Sequence, residues 1–442
     1  MFRKSLLPLP SGALLLMLTC SVALGCSGDN LGSGPEDPQD PSTPSNPPAA
    51  PSNATIAYAR GGEIRLVEPD GSNDHSLWTV PRPDLPYTVT SLAWKPDATE
   101  LAFSSDHEEA TSFYGRDIYA IGADGNRLRK LTNGPTLEGL ASLPSGTVTL
   151  TVQNNTSDGG PWFVYVTGAS QPQMITLGLG ESARLTFNQV ADLGSGIQPA
   201  VAINGTDRWF GVAGADVQSG RSADAGLLTI SPFGGVPHFG ADVPAWRNDG
   251  SSLFYLESPL CQLDALPENP PPGATGTAVL PEGVFESTCG FDLGPAPMTD
   301  QILVVDDGDY TTNGETHIYR TTQGSGSRGT LVGTLTDYVR LVDIHWLPDG
   351  SGFVVARTGG LLDESVNLYE YSLTDGSVHQ MTSFTENPAR RFSIAPDGRN
   401  IVFERAASLD GPSDLWIMSR DGSSQRLLVS NAGYPSWNPR RP

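Results

Sequence analysis

A short turn motif recurs along this 442-residue chain and limits what it can fold into. Trp94-Lys95-Pro96-Asp97, Trp246-Arg247-Asn248-Asp249-Gly250, Trp346-Leu347-Pro348-Asp349-Gly350 and Trp437-Asn438-Pro439 carry an aromatic residue before a tight turn, and Ile394-Ala395-Pro396-Asp397-Gly398 carries isoleucine at the same place. Ser142-Leu143-Pro144-Ser145-Gly146 reads as a degenerate copy. Within the plainest unit, 91–132, three apolar runs separated by turns and the start of a fourth give four short strands, and no helical period interrupts them. Four-stranded units repeating every forty to fifty residues or so are the mark of a radial propeller, not of a two-layer sandwich. The expected fold is therefore all-β, a six-bladed β-propeller with inserted β-rich segments. One blade is composite: the Thr55–Thr79 run lacks a first strand, and Gly433–Pro439 at the far end supplies it, so pairing of N- and C-terminal strands closes the ring.

Two intervals exceed one blade. In the first, about 147–225, the runs Val148–Val152, Trp162–Val166 and Ala183–Phe187 read as a small β-sandwich set into, or replacing part of, the third blade. In the second, about 258–300, Cys261 and Cys289 bracket a proline-rich loop, and in an exported protein this pair oxidises to a disulfide. Insertions of this kind map to the loops at a propeller's ends, where binding surfaces gather. The Asp-Gly pairs at 70–71, 124–125, 375–376 and 421–422 read as hairpin turns, glycine accepting positive φ and aspartate bonding its own backbone.

The address is written before residue 55. Arg3 and Lys4 precede an apolar run, Gly12 to Leu24, of signal-peptide length. It ends in Val22-Ala23-Leu24-Gly25-Cys26, which resembles the lipobox of bacterial lipoproteins. That resemblance implies cleavage after residue 25, a diacylglycerol on the Cys26 thiol, and a place on the outer membrane facing the periplasm or the cell surface. Residues 26–54 are rich in Pro, Ser, Asp and Gly, a disordered tether reaching up to ~80 Å from the bilayer. The formal net charge of −23, with Lys4, Lys95 and Lys130 as the only lysines, excludes nucleic acid as a partner, since binding it needs a basic footprint.

The units Trp94–Asp97 with Asp117-Ile118-Tyr119, and Trp346–Gly350 with Asn367-Leu368-Tyr369, resemble the TolB-like propeller repeat of bacterial envelope proteins. The resemblance implies the six-bladed fold and an envelope role. TolB pairs its propeller with an α/β domain and binds a peptidoglycan-associated lipoprotein, whereas here a lipid tether precedes the propeller.

Signals for chemistry are sparse. Neither Gly-x-Ser-x-Gly nor His-Glu-x-x-His occurs, and the six histidines are scattered among different blades. Gly324-Ser325-Gly326-Ser327-Arg328-Gly329 has the glycine spacing of a dinucleotide loop, but Thr330–Gly333 continues as a strand where that chemistry needs a helix N-terminus. Asp306, Asp307 and Asp309 make the best calcium candidate, against a solvated turn as the plainer reading. The sequence thus points to no catalytic residues and no cofactor. It points to a lipid-anchored scaffold that binds an envelope protein, held to the membrane through Cys26. The alternative is a carbohydrate-active propeller, a polysaccharide lyase or glycan binder, with an axial metal or acidic site.

Overall fold

In the computed structural model, described residues run from 56 to 439, apart from 84–86, 109–114, 133–135, 158, 195–196, 205–206, 232–239, 259–261, 271–275, 282–283, 286–287, 294–300, 307–313, 337, 361–362 and 409–410. All of them belong to the unit Ala50–Pro442. The signal region, the tether, Cys26, Cys261, Asp307 and Asp309 lie outside the described residues.

Six four-stranded antiparallel sheets form the blades. Blade 1 runs from an inner strand Gly433–Trp437 through Ile56–Arg60 and Glu63–Val67 to His75–Thr79. Blade 2 comprises Val89–Trp94, Glu100–Ser105, Asp117–Gly122 and Arg129–Lys130. Blade 3 comprises Gly240–Trp246, Ser252–Ser258, Gln262–Pro267 and Thr277–Ala278, and blade 4 comprises Thr288–Asp292, Gln301–Asp306, Thr316–Thr322 and Thr330–Leu335. Blade 5 is Leu341–Trp346, Gly352–Gly360, Asp363–Ser372 and Val378–Gln380, and blade 6 is Ala389–Ile394, Asn400–Ala406, Ser413–Ser419 and Arg426–Val429.

What makes these sheets a ring is the period of two along each second strand, which sends alternate side chains to opposite neighbours. Leu101 and Phe103 of blade 2 pack on Ala57, Ile64 and Leu66 of blade 1, while Ala102 packs on Trp246, Leu253 and Tyr255 of blade 3. Phe254 and Leu256 then meet Phe291, Ile302 and Val304 of blade 4, and Leu303 and Val305 meet Trp346, Phe353 and Val355 of blade 5. Val354 and Ala356 meet Phe392, Ile401 and Phe403 of blade 6, and Val402 and Leu415 return to Ile56, Tyr58 and Val67 of blade 1. Six apolar cores therefore join six blades in a closed cycle. Pairing of Ile56 with Trp437, Ala57 with Ser436 and Ala59 with Gly433 closes the composite blade.

The recurrent turns do what the sequence leads one to expect. Oδ1 of Asp97, Asp249, Asp349 and Asp397 accepts the backbone N–H two residues on, at 2.9–3.0 Å, and Asp70, Asp124, Asp375 and Asp421 do the same at 2.8–3.1 Å. These carboxylates are turn framework.

Two readings of the sequence are corrected in detail. The count of six stands, but Ser142–Gly146 opens no blade: Ser145 begins the first strand of a sandwich lying between blades 2 and 3. Within 258–300 the described strands are propeller framework, since Gln262–Pro267 and Thr277–Ala278 complete blade 3 and Thr288–Asp292 opens blade 4. Blade 4 escaped the turn count because Leu293-Gly294-Pro295 stands where other blades have an aromatic residue and Pro-Asp-Gly. Cys289 sits in that opening strand, on the main-chain path of a blade and not in a loop.

The sandwich has a three-stranded sheet, Ser182–Ala191, Ser145–Asn154 and Ser222–Ile230, and a four-stranded sheet, Gln173–Ile175, Trp162–Val166, Ile197–Asn204 and Asp207–Asp216. Its own core contains Val148, Leu150, Val152, Trp162, Val164, Phe187 and Leu228.

Candidate functional site

The six inner strands enclose an axial channel of about 630 Å³. Every blade has a register shift where its inner strand meets the next, near Ala57/Ala59, Thr90/Ala93, Asp242/Ala245, Thr288/Gly290, Leu341/Asp343 and Ala389/Phe392. In blades 1, 2 and 3 the shift coincides with positive φ at Tyr434 (52°), Ser91 (51°) and Val243 (52°). Such bulges bend a strand and re-aim its side chains.

The repeat sorts the lining into two tiers. Immediately before the aromatic position stand Ala93, Ala245, Asp292, His345, Ser393 and Ser436. Two residues earlier stand Ser91, Val243, Gly290, Asp343, Arg391 and Tyr434. At these two tiers blades 2 and 3 give small or apolar groups and blades 4, 5, 6 and 1 bring the ionisable ones, while Asp242 of blade 3 adds a carboxylate beside them.

His345 is the centre of the charged side. Its Nδ1 lies 3.7 Å from Asp292 Oδ2 and its Nε2 lies 3.4 Å from Asp343 Oδ2, and Phe392 meets the imidazole edge-on, with centroids 4.9 Å apart. Both carboxylates are fixed by the following blade: Asp292 Oδ2 accepts the Trp346 N–H at 2.6 Å, and Asp343 Oδ2 accepts the Phe392 N–H at 2.9 Å. Burial by itself would depress the imidazole pKa, but Asp343 and Asp292 outweigh it and hold His345 well above the usual histidine range. The two carboxylates therefore favour the imidazolium form of His345, which acts as a hydrogen-bond donor, and its side chain stays 36% exposed.

Beside it, Arg391 lies over the Tyr434 ring at 4.3 Å. The buried Glu404 carboxylate accepts Arg390 Nε at 3.0 Å and the Tyr434 N–H at 2.6 Å. Where blades 2 and 3 meet, Arg116 Nη1 donates to Asp242 Oδ2 at 3.2 Å and to Thr90 Oγ1 at 3.2 Å. Burial opposes ionisation of Asp242, yet Arg116 holds its carboxyl below the ordinary range. The channel thus presents fixed positive and negative groups and a protonated histidine, which suits binding of a polar ligand. Among the described residues no group of three or more His, Cys, Asp or Glu side chains is placed to hold a metal ion.

The residues singled out in the sequence do not converge. Asp306 is buried and pairs with Arg328 at 3.1 Å, and Arg328 lies over Phe285 and Tyr319. Gly324–Gly329 links two strands of blade 4, as a turn. His107 is buried against Trp78 and Tyr119, with Nδ1 2.9 Å from Ser105 Oγ, and burial pushes its pKa down to about 3. His317 stands 3.5 Å from Glu315. The channel cluster was missed because its members come from two blades, Asp292 from blade 4 and Asp343 and His345 from blade 5; the one available signal was the charged residue directly before Trp346, where blades 1, 2, 3 and 6 have Ala or Ser.

The sandwich offers a second surface. Trp162, Val164 and Val166 face its core, which sets Phe163, Tyr165 and Val201 on the opposite face as a small apolar cluster with Tyr165 buried and Phe163 and Val201 half-buried, and Met174, paired with Phe163, is 64% exposed. The outer face of the three-stranded sheet is more polar: exposed Arg184 donates to Thr149 Oγ1 and Asp224 Oδ2, both at 3.0 Å, with Leu227, 50% exposed, as its large apolar group.

No protein-family model matches this sequence, and no curated protein matches it. Solved structures do. The chain is similar to TolB from Acinetobacter baumannii, at 14% identity over 88% of this chain and 68% of that one, with a TM-score of 0.43. It is similar to a TolB-type structure from Agrobacterium tumefaciens at 12% identity, covering 88% and 95%, with a TM-score of 0.45. It is also similar to a chain of the nidogen/laminin complex at 8% identity, covering 87% and 98%, with a TM-score of 0.48. These are likenesses of fold, and the fold stands independently on the six sheets and six cores.

Proposed function

We propose that this chain is a lipid-anchored protein of the bacterial cell envelope that uses its propeller as a scaffold for binding another protein. The observation that carries the reading is the contrast between the sandwich's two outer faces. A polar outer face is the ordinary state of a surface sheet, whereas exposed Met174 beside half-buried Phe163 and Val201, packed on buried Tyr165, gives this face an apolar character suited to a partner. The lipobox-like Val22–Cys26 and the proline-rich segment after it support the anchor and the reach. Palmitate labelling that is lost in Cys26→Ala tests the anchor. Capture of an envelope protein that is lost in Met174→Lys with Phe163→Ser, with the melting temperature unchanged, tests the binding face.

A glycan-directed channel is the second reading. The observation in its favour is the Asp292–His345–Asp343 cluster, open to the channel and rich in hydrogen-bonding groups. A thermal-shift screen against polysaccharide fragments tests it: a shift abolished by His345→Gln supports it, and no shift with any fragment removes it.

A further inference from the structure

A second cavity, of about 410 Å³, opens on blade 6 away from the axial channel. Its walls include Trp416, Pro412, Ala406 and Ala407, and its polar groups are Arg405, Asn387, Asn431, Ser413 and Asp414. Arg405 projects from the second strand of the blade, and its guanidinium carbon lies 4.2 Å from the Phe384 ring centroid and 4.8 Å from that of Trp416. Two aromatic rings thus hold the guanidinium by its π-system, which leaves the planar edge, with its N–H donors, to meet a partner.

That edge has no partner. Among the described residues Arg405 makes no hydrogen bond and no ion pair, and its Nε is a buried donor left unsatisfied. The chain carries 49 acidic residues against 26 Lys and Arg, yet among the described residues no carboxylate pairs with this charge. Burial alone sets the Arg405 pKa, lowering it, with no neighbouring carboxylate to restore it. Asp414 lies in the same wall, but its Oδ1 is taken by the Asn431 N–H at 2.7 Å. Nearby arginines are answered: Arg390 by Glu404, Arg420 by Glu370, Arg60 by the carbonyls of Ser430 and Asn431.

The neighbouring blade supplies an internal comparison. Arg357 holds the same position in blade 5 and lies 3.7 Å from the Tyr369 centroid; its Nε is likewise a buried donor without a partner, but its Nη1 donates to the Thr358 carbonyl at 3.2 Å. The stack and the unpaired Nε are repeat features; Arg405 differs in lining a cavity and in making no hydrogen bond among the described residues. The amide side chains of Asn387 and Asn431, both on left-handed backbone (φ 55° and 52°), also lack partners among the described residues. Paired donors and acceptors beside a guanidinium fork match a carboxylate next to an amide or hydroxyl.

We infer that this cavity is a binding site for a ligand carboxylate, which Arg405 receives in bidentate fashion while Asn387 and Asn431 hold the adjoining polar group. The carboxylate belongs either to a free hydroxy acid or to the last residue of a peptide. Three probes separate these: N-acetylalanine, with a carboxylate beside an amide; lactate, with a carboxylate beside a hydroxyl; and N-acetylalaninamide, the uncharged control. Probes of this size are expected to bind in the millimolar range, which ligand-observed saturation-transfer NMR detects.

The expected result is saturable binding of at least one carboxylate and none of the amide, with a tenfold or greater loss in Arg405→Gln. Arg357→Gln should leave it unchanged. Asn387→Asp leaves the aromatic stack intact and sets a negative charge at the rim, so it must also weaken binding; it keeps the test valid if Arg405→Gln fails to fold. Preference for N-acetylalanine indicates a peptide terminus, and preference for lactate a free hydroxy acid. Absence of saturable binding by either carboxylate, equal binding of the amide, or binding indifferent to Arg405→Gln and Asn387→Asp overturns the inference. Capture through Met174 is measured separately, so either result stands without the other.

Discussion

Ile56 and Trp437, near opposite ends of the folded chain, are direct partners in one antiparallel ladder. The pairing gives blade 1 its inner strand and places Tyr434 and Trp437 against the cores on either side. A chain ending at Ala432 should therefore lose the inner strand, expose the edge of Ile56–Arg60 and open two of six cores. Such a loss is a large share of the ~5–15 kcal/mol that stabilises a domain. Denaturant unfolding should show a lower midpoint and a broad transition; an unchanged cooperative transition would mean that the ring does not depend on closure.

Two histidines should act on stability in opposite pH windows. His107 has its folded pKa depressed to about 3, so below about 6.5 the unfolded chain takes a proton that the folded one refuses, and stability falls as pH drops toward 3. His345 has its folded pKa raised, so its contribution is full below about 6.5 and is lost as pH rises through the folded value. His107→Gln should flatten the acid limb relative to the parent, and His345→Gln the alkaline limb, each by up to ~1.4 kcal/mol per pH unit within its window. Melting temperatures taken from pH 4 to 9 check both signs.

The fold was legible because its signals are local. The Pro-Asp-Gly turns, the Asp117-Ile118-Tyr119 and Asn367-Leu368-Tyr369 strands and the missing first strand each fall within ten residues, and each reports on one blade. Asp117 and Asn367 even make the same link within their blades, since Asp117 Oδ1 accepts Thr132 Oγ1 and Asn367 Oδ1 accepts Thr382 Oγ1, both at 2.9 Å. Blade 4 was hidden where Leu293-Gly294-Pro295 replaces that local signal. The Asp292–His345–Asp343 cluster was not legible, because closeness across two neighbouring blades is a property of the ring and not of any segment. Arg405 was hidden for a related reason: an arginine in a strand reveals nothing until the absence of a counter-charge around it is known.

Blade 2 adds charge to that link. Lys130 Nζ lies 2.7 Å from Asp117 Oδ2, with both side chains 1% exposed. Asp117→Asn strands a buried ammonium and should cost about 3–5 kcal/mol, while Asp117→Leu combined with Lys130→Met should recover most of it. A double-mutant cycle by urea unfolding checks this, and a double variant as weak as the single would contradict it.

Val243 holds φ at 52°, a conformation that costs a β-branched residue about 1–2 kcal/mol. Val243→Gly should leave stability unchanged or raise it by up to ~1 kcal/mol, against the usual loss on placing glycine in a strand. Chemical denaturation of the two proteins decides the sign.

The most direct test of the scaffold reading is a paired capture experiment with immobilised protein and a solubilised envelope extract. Parent protein, a Met174→Lys, Phe163→Ser variant of the sandwich face, and an Arg184→Ser variant of the polar face should all melt alike. The expected result is a partner held by the parent and by Arg184→Ser and released by the Met174→Lys, Phe163→Ser variant. Equal capture by all three would contradict the assignment of the binding surface to the apolar face of the sandwich.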